Sequence, residues 1–136
     1  MRREFVLPEQ DADFLESFGY NWETINDTGA RWLIIHDYPV PEGYVNAVNI
    51  ALTKVNLALM IAPGYPVAQI DMVYFEQELR IPNKNIGAIA WQPILGKNWQ
   101  RWSRHRTGEN PWRPGVDDIS THLQMVTYWM ERELKK

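Results

Sequence analysis

The stretch VNLALMIAPGYP, at positions 55–66, decides the fold class. From Val55 to Ile61, large apolar residues alternate with Asn56, Ala58 and Met60. This period of two is typical of a paired strand that is covered on one face. The prolines and the glycine that follow interrupt any strand, so they predict a rigid loop.

The neighbouring segments supply partner strands. Residues 20–26 and 31–36 are β-type runs on either side of the turn residues 26–29, which predicts a hairpin. Residues 48–52 also alternate, so we expect a second hairpin with residues 55–61. Residues 37–44 contain two prolines and should bulge or cross over. Residues 68–75 predict a further strand, interrupted by Asp71.

Helical patterns occur near both ends of the sequence. Residues 7–19 begin with a proline and acidic residues and end in a glycine, which favours a short helix. A final helix is expected from about residue 114 to Leu134, with an apolar stripe along one face. Residues 76–114 show no sustained period. We therefore predict one α+β domain over residues 1–136: an N-terminal helix, an antiparallel meander of about four strands, a long irregular segment and a C-terminal helix.

Composition excludes several classes of protein. The chain has 136 residues, of which 45% are hydrophobic and 23% charged, as in ordinary globular proteins. No apolar run reaches the roughly 18 residues of a membrane span, and no secretion signal is evident, so we expect a cytoplasmic protein. The absence of cysteine removes disulfides, thiolate metal sites and acyl transfer on sulfur. With three histidines and no helical pair among them, we expect neither a metal nor a cofactor.

The most unusual segment runs from Lys97 to Arg113. It holds five basic residues and one acid, although the whole chain has a net charge of -3. Within it, His105 lies close to three arginines, which disfavour a charged imidazole and predict a neutral ring that accepts protons. Such a base suits an anionic substrate or a peptide carboxyl end. The alternative is an exposed histidine in a basic loop.

Two further interpretations stay open at this point. His122 borders the apolar stripe of the last helix, so it is either a core residue bonded to backbone or a group that orients His105. The arginines and indoles of Lys97–Arg113 also resemble a single-stranded nucleic-acid groove, where cations contact phosphates and aromatic rings stack on bases. The acidic character of the whole chain makes nucleic acid the less favoured partner.

Several motifs together are similar to those of the ubiquitin-conjugating-enzyme (UBC) superfamily, over nearly the whole chain. They are found at residues 62–66, 70–75, 99–105, 112–117 and 121–123. More narrowly, the chain resembles the bacterial branch called prokaryotic family E. Relatives carry a Trp-x-Pro element after a catalytic cysteine. Here that element begins at Trp112, and His105 lies near the position where relatives keep the cysteine.

The resemblance implies a UBC-like fold and a cysteine-free protein of a bacterial ubiquitin-like modification pathway. His105 and His122 are then the candidate catalytic residues of a reaction that does not use a thioester. Substrate contacts are expected from Arg101, Trp102, Arg104, Arg106 and Trp112. The implied partners are a ubiquitin-like protein, an adenylating activating enzyme and a JAB-type metallopeptidase, with no membrane. The alternative is a non-catalytic UBC-like module that only binds a ubiquitin-like protein.

Overall fold

A computed structural model describes residues 1–136 and confirms the α+β prediction, with one helix near each end. No helix combines the length and the apolar character that crossing a membrane would require. The elements are α1 (Glu9–Ser17), β1 (Asn21–Asp27), β2 (Ala30–Pro39), β3 (Lys54–Met60), β4 (Val73–Phe75), β5 (Ile89–Ile94), β6 (Lys97–Trp102) and α2 (Ile119–Lys135).

All six strands belong to one antiparallel sheet, in the order β1-β2-β3-β4-β6-β5. The first four strands form the meander that the alternating patterns predict. Residues 37–44 were expected to bulge or cross over, and the register between β2 and β3 does shift between Ile35 and Tyr38. The strand nevertheless resumes and continues to Pro39, which pairs with Lys54.

The predicted strand at residues 48–52 is wrong. Val48 and Ile50 are exposed, and their backbone N–H groups both donate to the side-chain oxygen of Asn46, at 3.0 Å. The asparagine thus satisfies the backbone locally and replaces a strand ladder. The apolar alternation here belongs to a closed loop.

Residues 76–114 are less irregular than expected, because they contain the β5–β6 hairpin. Its two-residue turn, Leu95 and Gly96, has φ values of 51° and 78°, which suit a tight hairpin. A buried polar residue, Gln100, interrupts the alternation of apolar and polar residues that would have indicated this strand. Its amide exchanges two hydrogen bonds with the backbone of Leu79. The strand predicted at residues 68–75 is likewise shorter, limited to β4.

Both helices pack on one face of the sheet. This main core is built on fully buried side chains such as Leu57, Phe75, Trp102 and Met130. The opposite face carries a smaller apolar cluster of seven buried residues. The sheet curls towards that face, so that the turn residue Leu95 donates its N–H to the Asp27 carboxylate at 3.0 Å.

A polar network joins the helices to the loop that precedes β4. The hydroxyl of Tyr65 donates to Asp11 of α1 at 2.7 Å, and Asp11 also accepts the N–H of Ile119 at 3.3 Å. At the start of α2, Asp118 and Thr121 form a reciprocal capping box. These contacts fix the first turn of α2 against the sheet, beside the segment that carries His105.

Candidate functional site

The candidate site is a groove of about 650 Å³ between residues 104–110 and α2, here called the α2 groove. One wall is formed by Arg104, His105 and Arg106. The facing wall includes Met125, Tyr128 and Arg132. The basic segment therefore does fold back against the last helix, and His105 lines the groove formed there.

A carboxylate orients the imidazole of His105. Its Nδ1 lies 2.7 Å from Oδ2 of Asp71, and the side chains are 59% and 30% exposed. Because a carboxylate only accepts hydrogen bonds, Nδ1–H donates, so it is Nε2 that carries the lone pair in the neutral form of the ring. The structure records no protein partner for Nε2. This arrangement can accept a proton at Nε2 and stabilise the cation that results.

Strand pairing brings these two residues together. β4 pairs with β6, with Val73 opposite Trp102, so the residues flanking those strands leave the sheet side by side. The backbone N–H of Met72 then donates to the carbonyl of Arg104 at 3.1 Å. Asp71 and His105, which are adjacent to this bond, consequently face each other.

His122 lies beneath the pair rather than in it. Its imidazole is fully buried, and Nε2–H donates to the carbonyl of Met72 at 2.8 Å. Burial lowers the pKa of His122 to about 4, so the ring is neutral. The structure thus gives His105 a carboxylate partner, Asp71, and places His122 as a core residue bonded to backbone. Through Met72 it supports the segment that holds Asp71.

One of the predicted carboxylate-binding arginines is bonded to an internal acid, and a second lies near one. Arg104 donates to Glu133 at 2.9 Å, and both side chains are largely buried. Although burial opposes it, hydrogen bonds from Lys136 and Arg104 lower the pKa of Glu133. Arg106 lies 3.9 Å from Asp117, with its side chain only 5% exposed. Its guanidinium also covers the ring of Trp112.

The remaining predicted contacts lie apart from the groove. Arg101 lines a second cleft of about 380 Å³, which Asp71 shares. Trp102 is fully buried and donates from Nε1 to Gln100 at 3.1 Å. Trp112 donates to the carbonyl of Pro66 at 3.0 Å and packs on that loop.

Sequence reasoning missed three residues of this site. Asp71 had a signal, since a single acid interrupts an apolar stretch, but nothing local identified its partner. Tyr128 and Arg132 face the groove from adjacent turns of α2, and the sequence pattern marks them only as part of its polar face. No group of three or more histidine or acidic side chains is placed to hold a metal ion.

Comparison with known proteins gives one match. The model of the family described as prokaryotic E2 family E matches residues 7–133. No curated protein and no solved structure matches the chain.

Proposed function

The chain belongs to prokaryotic E2 family E, and we propose that it works in a bacterial ubiquitin-like modification pathway. In this proposal residues 1–136 act as one domain in the cytoplasm. The partners are a ubiquitin-like protein, the adenylating enzyme that activates it and a JAB-type metallopeptidase that processes it.

The reaction we propose is transfer without a thioester on this chain. There is no cysteine to carry the acyl group. His105 instead acts as a general base for the attacking amine. The carboxyl end of the ubiquitin-like protein, which the activating enzyme has joined to a leaving group, is held non-covalently by this chain, and that leaving group departs as the amide forms. The single observation that carries this role is the bond from Asp71 to His105, a residue that lines the α2 groove, because this bond uses Nδ1 and leaves Nε2 available.

The other proposed site residues take supporting roles that follow from their burial. His122 positions Asp71 through the Met72 carbonyl. Arg104 holds the loop against α2 through its ion pair with Glu133, and Arg106 packs on Trp112. Trp102 and Trp112 maintain the surrounding packing. Arg101, in the cleft shared with Asp71, is the proposed contact for the carboxyl end.

The nucleic-acid alternative receives less support from these contacts. Arg104 is paired with Glu133, and two of the indoles in this segment, Trp99 and Trp102, are buried. Binding to single strands needs free cations and exposed aromatic rings.

Reconstitution tests the proposal: wild type, His105→Gln and Asp71→Asn are compared in conjugation with an adenylating activating enzyme and its ubiquitin-like protein. The matched control is His36→Gln, because His36 makes an equivalent 2.7 Å contact with Glu23 outside the groove. We expect conjugate, detected by intact mass, to fall at least about tenfold in the His105 and Asp71 variants and to remain in the control.

Equal yields from wild type and His105→Gln would refute a catalytic role. If, in addition, all proteins bind the ubiquitin-like partner and none alters conjugate yield, the chain is a non-catalytic binding module. That outcome assigns the groove to docking.

A further inference from the structure

The proposed function, on which this inference rests, requires an activated acyl donor. A free carboxylate does not acylate an amine with the help of a base alone, because the leaving group would be oxide or hydroxide. The chain offers no thiol on which to build an activated ester. The donor must therefore reach His105 already activated, with a leaving group of its own.

Arg106 indicates the charge of that leaving group. It lines the α2 groove with its side chain 5% exposed, yet Nε and Nη2 have no hydrogen-bond acceptor within reach. The nearest carboxylate, on Asp117, is 3.9 Å away and so too distant for a hydrogen bond. Buried cationic donors without acceptors are costly, and the positive charge of Arg106 favours an anion nearby. The groove as a whole is lined by four basic and two acidic side chains, so its net charge also favours an anion.

The helix wall supplies two complementary groups. Arg132 lines the groove, is exposed and forms no ion pair, so its guanidinium is free for a phosphate or carboxylate. One turn earlier, Tyr128 lines the same groove with a side chain that is 52% exposed. A half-exposed aromatic ring beside a cation is a suitable stacking surface for a nucleobase.

We propose that the α2 groove binds the nucleotide portion of an acyl-adenylate, the mixed anhydride of a carboxyl end and AMP. Arg132 binds the phosphate, the positive charge of Arg106 attracts it, and Tyr128 stacks on the base. The donor is supplied by a reaction that adenylates a carboxylate with ATP and releases pyrophosphate.

The step balances as an aminolysis. The amine nitrogen attacks the carbonyl carbon. The bond between that carbon and the oxygen that bridges it to phosphorus then breaks. AMP leaves with the bonding electron pair, and the proton lost by the amine passes to Nε2 of His105. The two arginines face the charge that develops on the departing phosphate, where preorganised donors act most strongly.

AMP is the probe for binding, and adenosine and inorganic phosphate are the comparison ligands. Binding is measured by tryptophan fluorescence, because Trp129 lines the groove. Arg132→Gln should weaken AMP binding about tenfold, the usual loss for one charge-assisted hydrogen bond. Arg80→Gln, which removes an exposed arginine outside the groove, should leave it unchanged. Adenosine should bind at least about tenfold more weakly than AMP.

The reaction is tested with acetyl-adenylate as donor and Nα-acetyl-lysine as amine. Wild type should accelerate AMP release with formation of the amide, and His105→Gln should lose the acceleration while still binding AMP. Failure of AMP to bind, or equal binding of adenosine, overturns this assignment. If conjugation from a partner's thioester still depends on His105, the assignment alone falls and the proposed function stands.

Discussion

Lowering the pH should destabilise the protein through His122. The folded ring has a pKa of about 4, because burial opposes its protonation, whereas an exposed histidine titrates near 6.5. The unfolded chain therefore binds this proton first as the pH falls. Stability contributed by the neutral ring is fully present above pH 6.5 and is lost as the pH falls towards 4.

The size of the effect follows from the two pKa values. Each unit of difference is equivalent to about 1.4 kcal/mol, so the full loss approaches about 3 kcal/mol below pH 4. Between pH 7 and pH 5 the same relation gives a loss of about 2 kcal/mol. That is a large fraction of the roughly 5–15 kcal/mol that stabilises a typical domain.

Urea unfolding at pH 7 and pH 5 measures this loss in wild type and in His122→Gln. Glutamine keeps an N–H donor for the Met72 carbonyl but does not titrate, and the remaining groups are common to both proteins. The variant should therefore lose about 2 kcal/mol less than wild type over this range. Identical pH dependence in the two proteins would refute the assignment, as would an NMR signature of charged His122 in the folded protein at pH 5.5.

Three further substitutions should destabilise the protein by different routes, each measured by urea unfolding at pH 7. Leu57→Ala empties a fully buried core position and should cost about 2–5 kcal/mol; a loss under about 1 kcal/mol would contradict this packing. Glu133→Gln leaves Arg104 largely buried without its carboxylate and should cost about 3 kcal/mol, whereas an unchanged midpoint would mean that the pair does not form. Gly43→Ala places a side chain on a backbone with a φ of 123° and brings its methyl group to 2.7 Å from Leu134. A loss of about 1–3 kcal/mol is therefore expected, and a gain in stability would exclude this close approach.

Local signals predicted both helices and the first hairpin, although α2 begins at Ile119 rather than near residue 114. The start of α2 combines a capping aspartate with an apolar stripe, and both features act over a few residues. The β5–β6 hairpin was missed because Gln100 occupies an interior position and is satisfied by the backbone of Leu79. The hydrogen-bond partner of Gln100 lies 21 positions away along the chain, and the alternation of apolar and polar residues does not reveal such a partner.

Local sequence patterns are limited in the same way for the candidate site. His105 was found from its basic neighbours, but one of those arginines, Arg104, is paired with Glu133 of α2. The group closest to the imidazole is Asp71, 34 positions away along the chain. Only the pairing of β4 with β6 brings the two residues together, and strand order is a long-range property of the sheet.

The central claim, that Asp71-oriented His105 accepts the proton of the attacking amine, is tested most directly by chemical rescue of His105→Ala in the reconstituted conjugation reaction. The account predicts that this variant loses conjugation and regains part of it as free imidazole is added, with no effect of imidazole on wild type. Full activity of His105→Ala, or equal acceleration of both proteins by imidazole, would contradict it.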